Sequence, residues 1–171
     1  MYTLKPDEKT SAVMAYSRNK LIHGDLVTKE GSRVSVWLRT QGVPNYIHLL
    51  KAQVLFFGST PPKSLTYNEY FFPTERIIGF HLAPPTSEQL DYDPGESNRT
   101  MVDVNLMVGA FTLKGKMRIS TMSDFATSIE VARMIWASVY DADISSPFLP
   151  QMPVIHVPML LVNSSQVSFA L

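Results

Sequence analysis

The chain has 171 residues, 45% hydrophobic and only 18% charged; an ordinary globular protein carries about 25% charged residues, so this one is expected to bury area between its halves or between subunits. Fifteen cations balance fifteen anions, which excludes a global field that would draw nucleic acid or an anionic membrane. Cysteine is absent, excluding disulfides, thiol catalysis and thiolate metal sites and suiting a reducing cytoplasm.

Residues 1–11 read as a polar lead-in without the apolar core of a secretion signal. Residues 13–27 predict a strand interrupted at Gly24-Asp25, and Lys29-Glu-Gly-Ser32 a turn. Residues 33–39 place Val34, Val36 and Leu38 on one side, which predicts a strand, with a single helical turn as the alternative. After the break at Gly42-Val-Pro44, residues 47–57 are apolar on both faces and predict a central strand. Pro61 and Pro62 make 59–63 a loop, the aromatic run 65–72 predicts a strand, and 77–82 another, as short-turn antiparallel neighbours.

Residues 83–100, rich in Pro, Ser and acid, read as a linker. Beyond it Val102, Val104, Leu106 and Val108 alternate, and the phase flips at Gly109-Ala110, as at a bulge or bend in a long strand. Residues 123–133 predict a helix with Ser123 or Asp124 as N-cap. Residues 134–144 predict a strand, 145–153 a Pro-rich loop, and 157–162 with 166–171 a closing hairpin turned by Asn163-Ser-Ser165. No apolar run is long enough to span a membrane.

The chain reads as one motif used twice. Ile78, Phe80 and Leu82 match Val167, Phe169 and Leu171; Gly24 matches Gly115; Ala52-Gln-Val54 matches Ala137-Ser-Val139; Phe71-Phe72 matches Leu160-Leu161. The expected fold is mainly β: two related small barrel-like or strongly bent sheets in tandem, residues 1–82 and 101–171, joined by 83–100 and packed as one globule, with one short helix in the second. Residues 1–85 hold ten cations and six anions, and 86–171 five and nine, so the halves are oppositely charged. A Gly-x-Leu, then Arg33-Val-Ser35-x-x-Leu38, a Pro-containing break, Leu-x-x-Ala52-x-Val54 and an Ile-x-Phe-x-Leu strand together resemble a bacterial domain of unknown function. That small β domain reads Arg-Leu-Ser-Asp-x-Leu-Asn before its Ala-x-Val strand; Val36 and Arg39 stand here for its Asp and final Asn. The resemblance implies architecture and no chemistry.

The residues offer no catalytic, cofactor-binding or metal-ligating set. His23, His48, His81 and His156 lack metal-site spacing. Asp91-Tyr-Asp93-Pro-Gly-Glu96 lacks the ligand pattern of a calcium loop, and Gly109 to Lys116 lacks that of a phosphate loop. Asp141 and Asp143 read as a strand leaving the core. Arg33, Trp37 and Arg39 would share one face of a strand, a possible interaction surface on which a base could stack. The expected function is a non-enzymatic interaction, scaffolding or regulatory module of a bacterial cytoplasm, without cofactor, with an unknown protein partner and self-associating as a homodimer. A small-barrel nucleic-acid binder, disfavoured by the charge balance, and a small-molecule binder with a pocket between the two units are the alternatives.

Overall fold

Period-two alternation of apolar and polar residues sets the strands. The computed structural model describes residues 2–132 and 134–171. Its strands are β1 (Glu8–Tyr16), β2 (Lys20–Lys29), β3 (Tyr46–Phe56), β4 (Lys63–Pro73), β5 (Gly79–Leu82), β6 (Arg99–Val108), β7 (Phe111–Ser120), β8 (Trp136–Ser145), β9 (Ile155–Asn163) and β10 (Ser168–Ala170). One α-helix, α1 (Phe125–Val131), and two 3-10 helices, Val34–Arg39 and Thr74–Arg76, join them. All ten strands form a single antiparallel sheet in the order β10-β6-β7-β8-β9-β5-β1-β2-β3-β4. The mainly β class stands, but the expected barrels do not: the sheet is open, with β4 and β10 as its edges. No helix among the described residues is long and apolar enough to cross a membrane.

Several local expectations change, each for a physical reason. Residues 8–11 of the lead-in already belong to β1, where pairing with β2 from Glu8 onward outweighs their polar composition. The single strand expected over 13–27 is a hairpin turning at Ser17–Asn19, and the flip at Gly109-Ala110 is likewise a turn between β6 and β7, not a bulge. Residues 34–39 form a 3-10 helix, because Val34, Trp37 and Leu38 bury one side at a three-residue spacing that the alternation disguised. The strands before and after Asn163-Ser-Ser165 do not form a hairpin; β9 lies between β8 and β5, while β10 crosses to β6. Likewise β5 pairs with β1 and β9, not with β4. The helix keeps its expected start, with the Asp124 carboxylate accepting from Thr127 N at 2.7 Å; its expected end, Arg133, lies outside the described residues.

Each half of the sheet runs in the same internal order, β5-β1-β2-β3-β4 and β10-β6-β7-β8-β9. The registers also correspond: Val13 faces Gly24 across β1 and β2, and Val104 faces Gly115 across β6 and β7. Both glycines sit where the ladder to the next strand slips by one residue. A Cβ on Gly24 would stand 3.2 Å from Leu50 O, and one on Gly115 3.0 Å from Tyr140 O. Opposite them Lys51 and Asp141 share φ of 51°. This places Ala52 against Ala142 and Val54 against Ile144, so the expected match to Ala137 and Val139 shifts by five residues.

Two apolar cores result, each completed by the other half. Val13, Ile22, Leu26, Ile47, Leu49 and Phe80 are joined by Trp136 and Leu161. Val104, Leu106, Phe111, Leu113 and Ile144 are joined by Tyr16, Leu21 and Ile78.

Candidate functional site

The stretch between β5 and β6 contains no strand, yet it is fastened down. Glu88 accepts hydrogen bonds from Val34 N (3.0 Å), Ser35 N (2.9 Å) and Ser35 Oγ (2.6 Å), capping the 3-10 helix whose first amides have no internal partner. Burial alone would raise the Glu88 pKa, but these hydrogen bonds and Arg33 hold it below the usual carboxylate value. Three residues on, Asp91 accepts from Ser138 Oγ (2.7 Å), Tyr140 Oη (2.7 Å) and Arg39 Nη1 (2.5 Å). Its burial also works toward a raised pKa, and the Ser138, Tyr140 and Arg39 contacts outweigh it and keep Asp91 ionised. Tyr140 is pushed up, first by burial and then by Asp91. The segment is therefore a strap drawn across the sheet by two carboxylates.

Arg33, Trp37 and Arg39 are placed by this strap. Trp37 is buried in the first core. Arg33 donates to Gln89 O and lies 3.9 Å from the Glu88 carboxylate. Arg39 donates to Asp91, to Ser138 Oγ (2.6 Å) and to Trp136 O (3.2 Å). The expected common face assumed a strand; on a 3-10 helix the indole turns inward and both guanidiniums turn to the strap.

The acids that faintly suggested a calcium loop serve the same strap. Asp93 accepts from its own Gly95 N, and Glu96 takes Arg118 Nη1 at 2.6 Å. Asp141 and Asp143 flank His156 at the surface, at 3.4 and 2.9 Å. Among the described residues no group of three or more such side chains is arranged to hold a metal ion.

Against this background one cavity stands out, about 640 Å³, under α1. It is bounded by the strap (Asp91, Tyr92, Glu96), β7 (Met117 to Ser120), β8 (Ala137, Ser138, Tyr140), α1 and Phe169 of β10. Its origin lies in a difference between the halves. The 3-10 helix joins β2 to β3 and buries Val34, Ser35, Trp37 and Leu38 against its sheet. The helix α1 joins β7 to β8, the corresponding connection, and buries none of its residues. It is held by its cap, by Ser123 Oγ against Ser128 Oγ (2.7 Å), and by Phe125, whose ring meets Phe169 at 5.8 Å. Space that Trp37 and Leu38 fill in the first half is left as a cleft in the second.

The cleft has two characters. Ile119, Met117, Ala137, Ile129, Val131 and Met134 give it an apolar side. The strap side is polar but neutralised: Arg118 lies 4.7 Å over the Tyr92 ring and is bound by Glu96, while Arg39 is bound by Asp91. Ser138 donates a hydrogen bond to Asp91 and accepts one from Arg39, so it is a fixed hydrogen-bonding link. Such a lining can hold an apolar body and orient a polar head. Sequence reasoning offered a pocket between the two units as an alternative but named none of these lining residues as site residues except Arg39, because no local pattern shows that α1 leaves its apolar residues, Ile129 among them, unburied.

No protein-family model matches the sequence, and no curated protein or solved structure is detectably similar to it.

Proposed function

We propose that this chain is a non-enzymatic binding module whose cleft under α1 takes a small molecule with an apolar body and a hydrogen-bonding head. The observation that carries this reading is the unburied helix over a cavity of about 640 Å³, a size in the usual range for small-molecule sites, roughly 300–1,000 Å³. The cleft receives Arg39 from the first half, so the ligand would sit where the halves meet. Mass spectrometry of the purified protein under native conditions should reveal a retained ligand, or binding of an added naphthalene-sulfonate dye should report the empty cleft. Ala137→Trp, which fills the cleft from its floor, should abolish either signal. Unchanged dye binding in a folded Ala137→Trp variant would place the apolar site elsewhere.

A second reading, self-association, is favoured by one specific feature. β4 is an eleven-residue edge strand, and Leu65, Tyr67 and Phe71 on it are 46%, 40% and 56% exposed. Long exposed apolar edges invite pairing with another strand, and a second copy of the chain through β4 would give the homodimer. Light scattering across a concentration series tests it. We also read the two halves as degenerate tandem copies, supported by their shared strand order, registers and bulges. The resemblance to a small bacterial β domain would apply to each copy.

A further inference from the structure

We infer a second, separate site: a small phosphorylated anion is held in the seam between the free edges of the sheet. The edges approach at one end, where Gln166 Nε2, just before β10, donates to Glu75 O, just after β4, at 3.5 Å. A cavity of about 530 Å³ opens there, lined by Ser17, Arg18, Asn19, Lys20, Phe72, Glu75, Arg76 and Gln166. Three cations and one anion meet in it. Among the described residues Arg18, Lys20 and Arg76 take part in none of the ion pairs, whereas the arginines of the α1 cleft are neutralised.

Ser17, in the turn between β1 and β2, is 6% exposed, and its hydroxyl is sealed from the cavity, without a partner as that of Thr28 is. The turn that carries it is fixed: Ser17 N donates to Lys20 O and Phe57 N donates to Asn19 O, both at 2.9 Å. The Lys20 ammonium is steadied 5.9 Å from the Phe56 and Phe72 rings.

The closed joint between β5 and β9 is the counterpart of this seam. Positions matching Ser17, Lys20, Phe72 and Gln166 by register are Val108, Phe111, Val162 and Ile77, all buried. One seam is zipped by apolar packing; the other carries Ser17, Lys20 and Gln166 at three of these four places and stays open. Convergent cations and hydrogen-bond donors in a confined cavity recognise phosphoryl oxygens. Nucleic acid is the weaker fit, because the cations converge on one cavity and do not form a track.

The test is calorimetric titration of the full chain with inorganic pyrophosphate at low and at physiological salt. Saturable one-to-one binding is expected. Arg18→Met and Arg76→Met, both at exposed positions and therefore harmless to folding, should each weaken it roughly tenfold. Lys29→Gln, an exposed cation at the far end of β2 from Lys20, should change nothing, and neither should Ala137→Trp in the α1 cleft, which separates this site from that one. The inference is overturned by absence of saturable binding, by arginine variants that bind like the parent, or by an equal loss in the lysine control. Single-stranded DNA that binds with length-dependent stoichiometry and is not displaced by pyrophosphate would overturn it too.

Discussion

His81 offers the cleanest quantitative test of the fold. It is 1% exposed, and both ring nitrogens are committed: Nδ1 donates to Leu82 O at 2.7 Å, and Nε2 accepts from Tyr16 Oη at 2.9 Å. That pattern requires the neutral imidazole. Burial pushes its pKa down from 6.5 to about 4, against a smaller opposing pull from the Leu82 carbonyl. The folded value lies below the unfolded one, so the unfolded chain binds the proton first. The contribution is therefore fully present above pH 6.5 and is lost as pH falls toward 4. Each tenfold difference in proton affinity between the two states is worth about 1.4 kcal/mol, so the loss amounts to about 2 kcal/mol at pH 5 and roughly 3 kcal/mol near pH 4. The comparison is best made at pH 7.5 and 5.0, above the range in which Glu88 and Asp91, both lowered, begin to lose theirs. Urea titrations followed by the fluorescence of the buried Trp37 and Trp136 would measure it. His81→Gln, which keeps a donor and an acceptor but cannot titrate, should be less stable at pH 7.5 and should lose this pH dependence. Equal stability of the parent at the two pH values, or an undiminished dependence in His81→Gln, would refute the reasoning.

Other outcomes follow from single contacts. Asp91→Ala strands Arg39, Ser138 and Tyr140 together and should cost about 2–3 kcal/mol, with new proteolytic cleavage in residues 84–98 as a second readout. Gly109 has φ of 59°, and a Cβ there would stand 2.4 Å from Ser17 O; Gly109→Ala should cost roughly 2–4 kcal/mol, whereas Gly31→Ala, with nothing within 4 Å, should stay within about 0.5 kcal/mol by thermal melting. On the edge strand, Tyr67→Lys with Phe71→Lys should leave stability nearly unchanged and shift any concentration-dependent oligomer to monomer in light scattering.

What the sequence made legible was governed by local periodicity. The β class, the course of β3 and β4, the loop at Pro61-Pro62 and the Asp124 cap all follow from side-chain alternation or turn chemistry within a few residues. The destinations of β5 and β10 did not, because a strand's own pattern says which face is buried and nothing about which neighbour it pairs with. Val34–Arg39 misled for a different reason: over six residues a period of two and a period of three place Val34 inside equally well, and only burial of Trp37 decides. Arg33, Trp37 and Arg39 were singled out as an interaction surface on the assumption that they share one face of a strand. The partners of Arg33 and Arg39, namely Glu88, Gln89 and Asp91, lie some fifty residues away in a segment whose composition suggests a free linker, and ion pairs across that distance leave no local signature.

The differences between the halves bear most directly on function. The backbone plan is the same in each, down to a glycine at the ladder slip and a residue of positive φ opposite it, so the scaffold itself cannot distinguish them. The distinguishing residues are the ones that close gaps. In the first half Trp37 and Leu38 close the space under the connecting helix; in the second that space is open. At the β5–β9 joint Val108, Phe111 and Val162 close the seam; at the β4–β10 edge Ser17, Lys20 and Gln166 leave it open. Each opening costs apolar burial that its counterpart retains, at about 25 cal/mol per Å². The reciprocal cores offset that loss, because Trp136 and Leu161 in one and Tyr16, Leu21 and Ile78 in the other make the two halves a single packed unit. A sheet stabilised across its middle in this way can keep both a lid and an edge unsealed, which is where ligand sites are best sought.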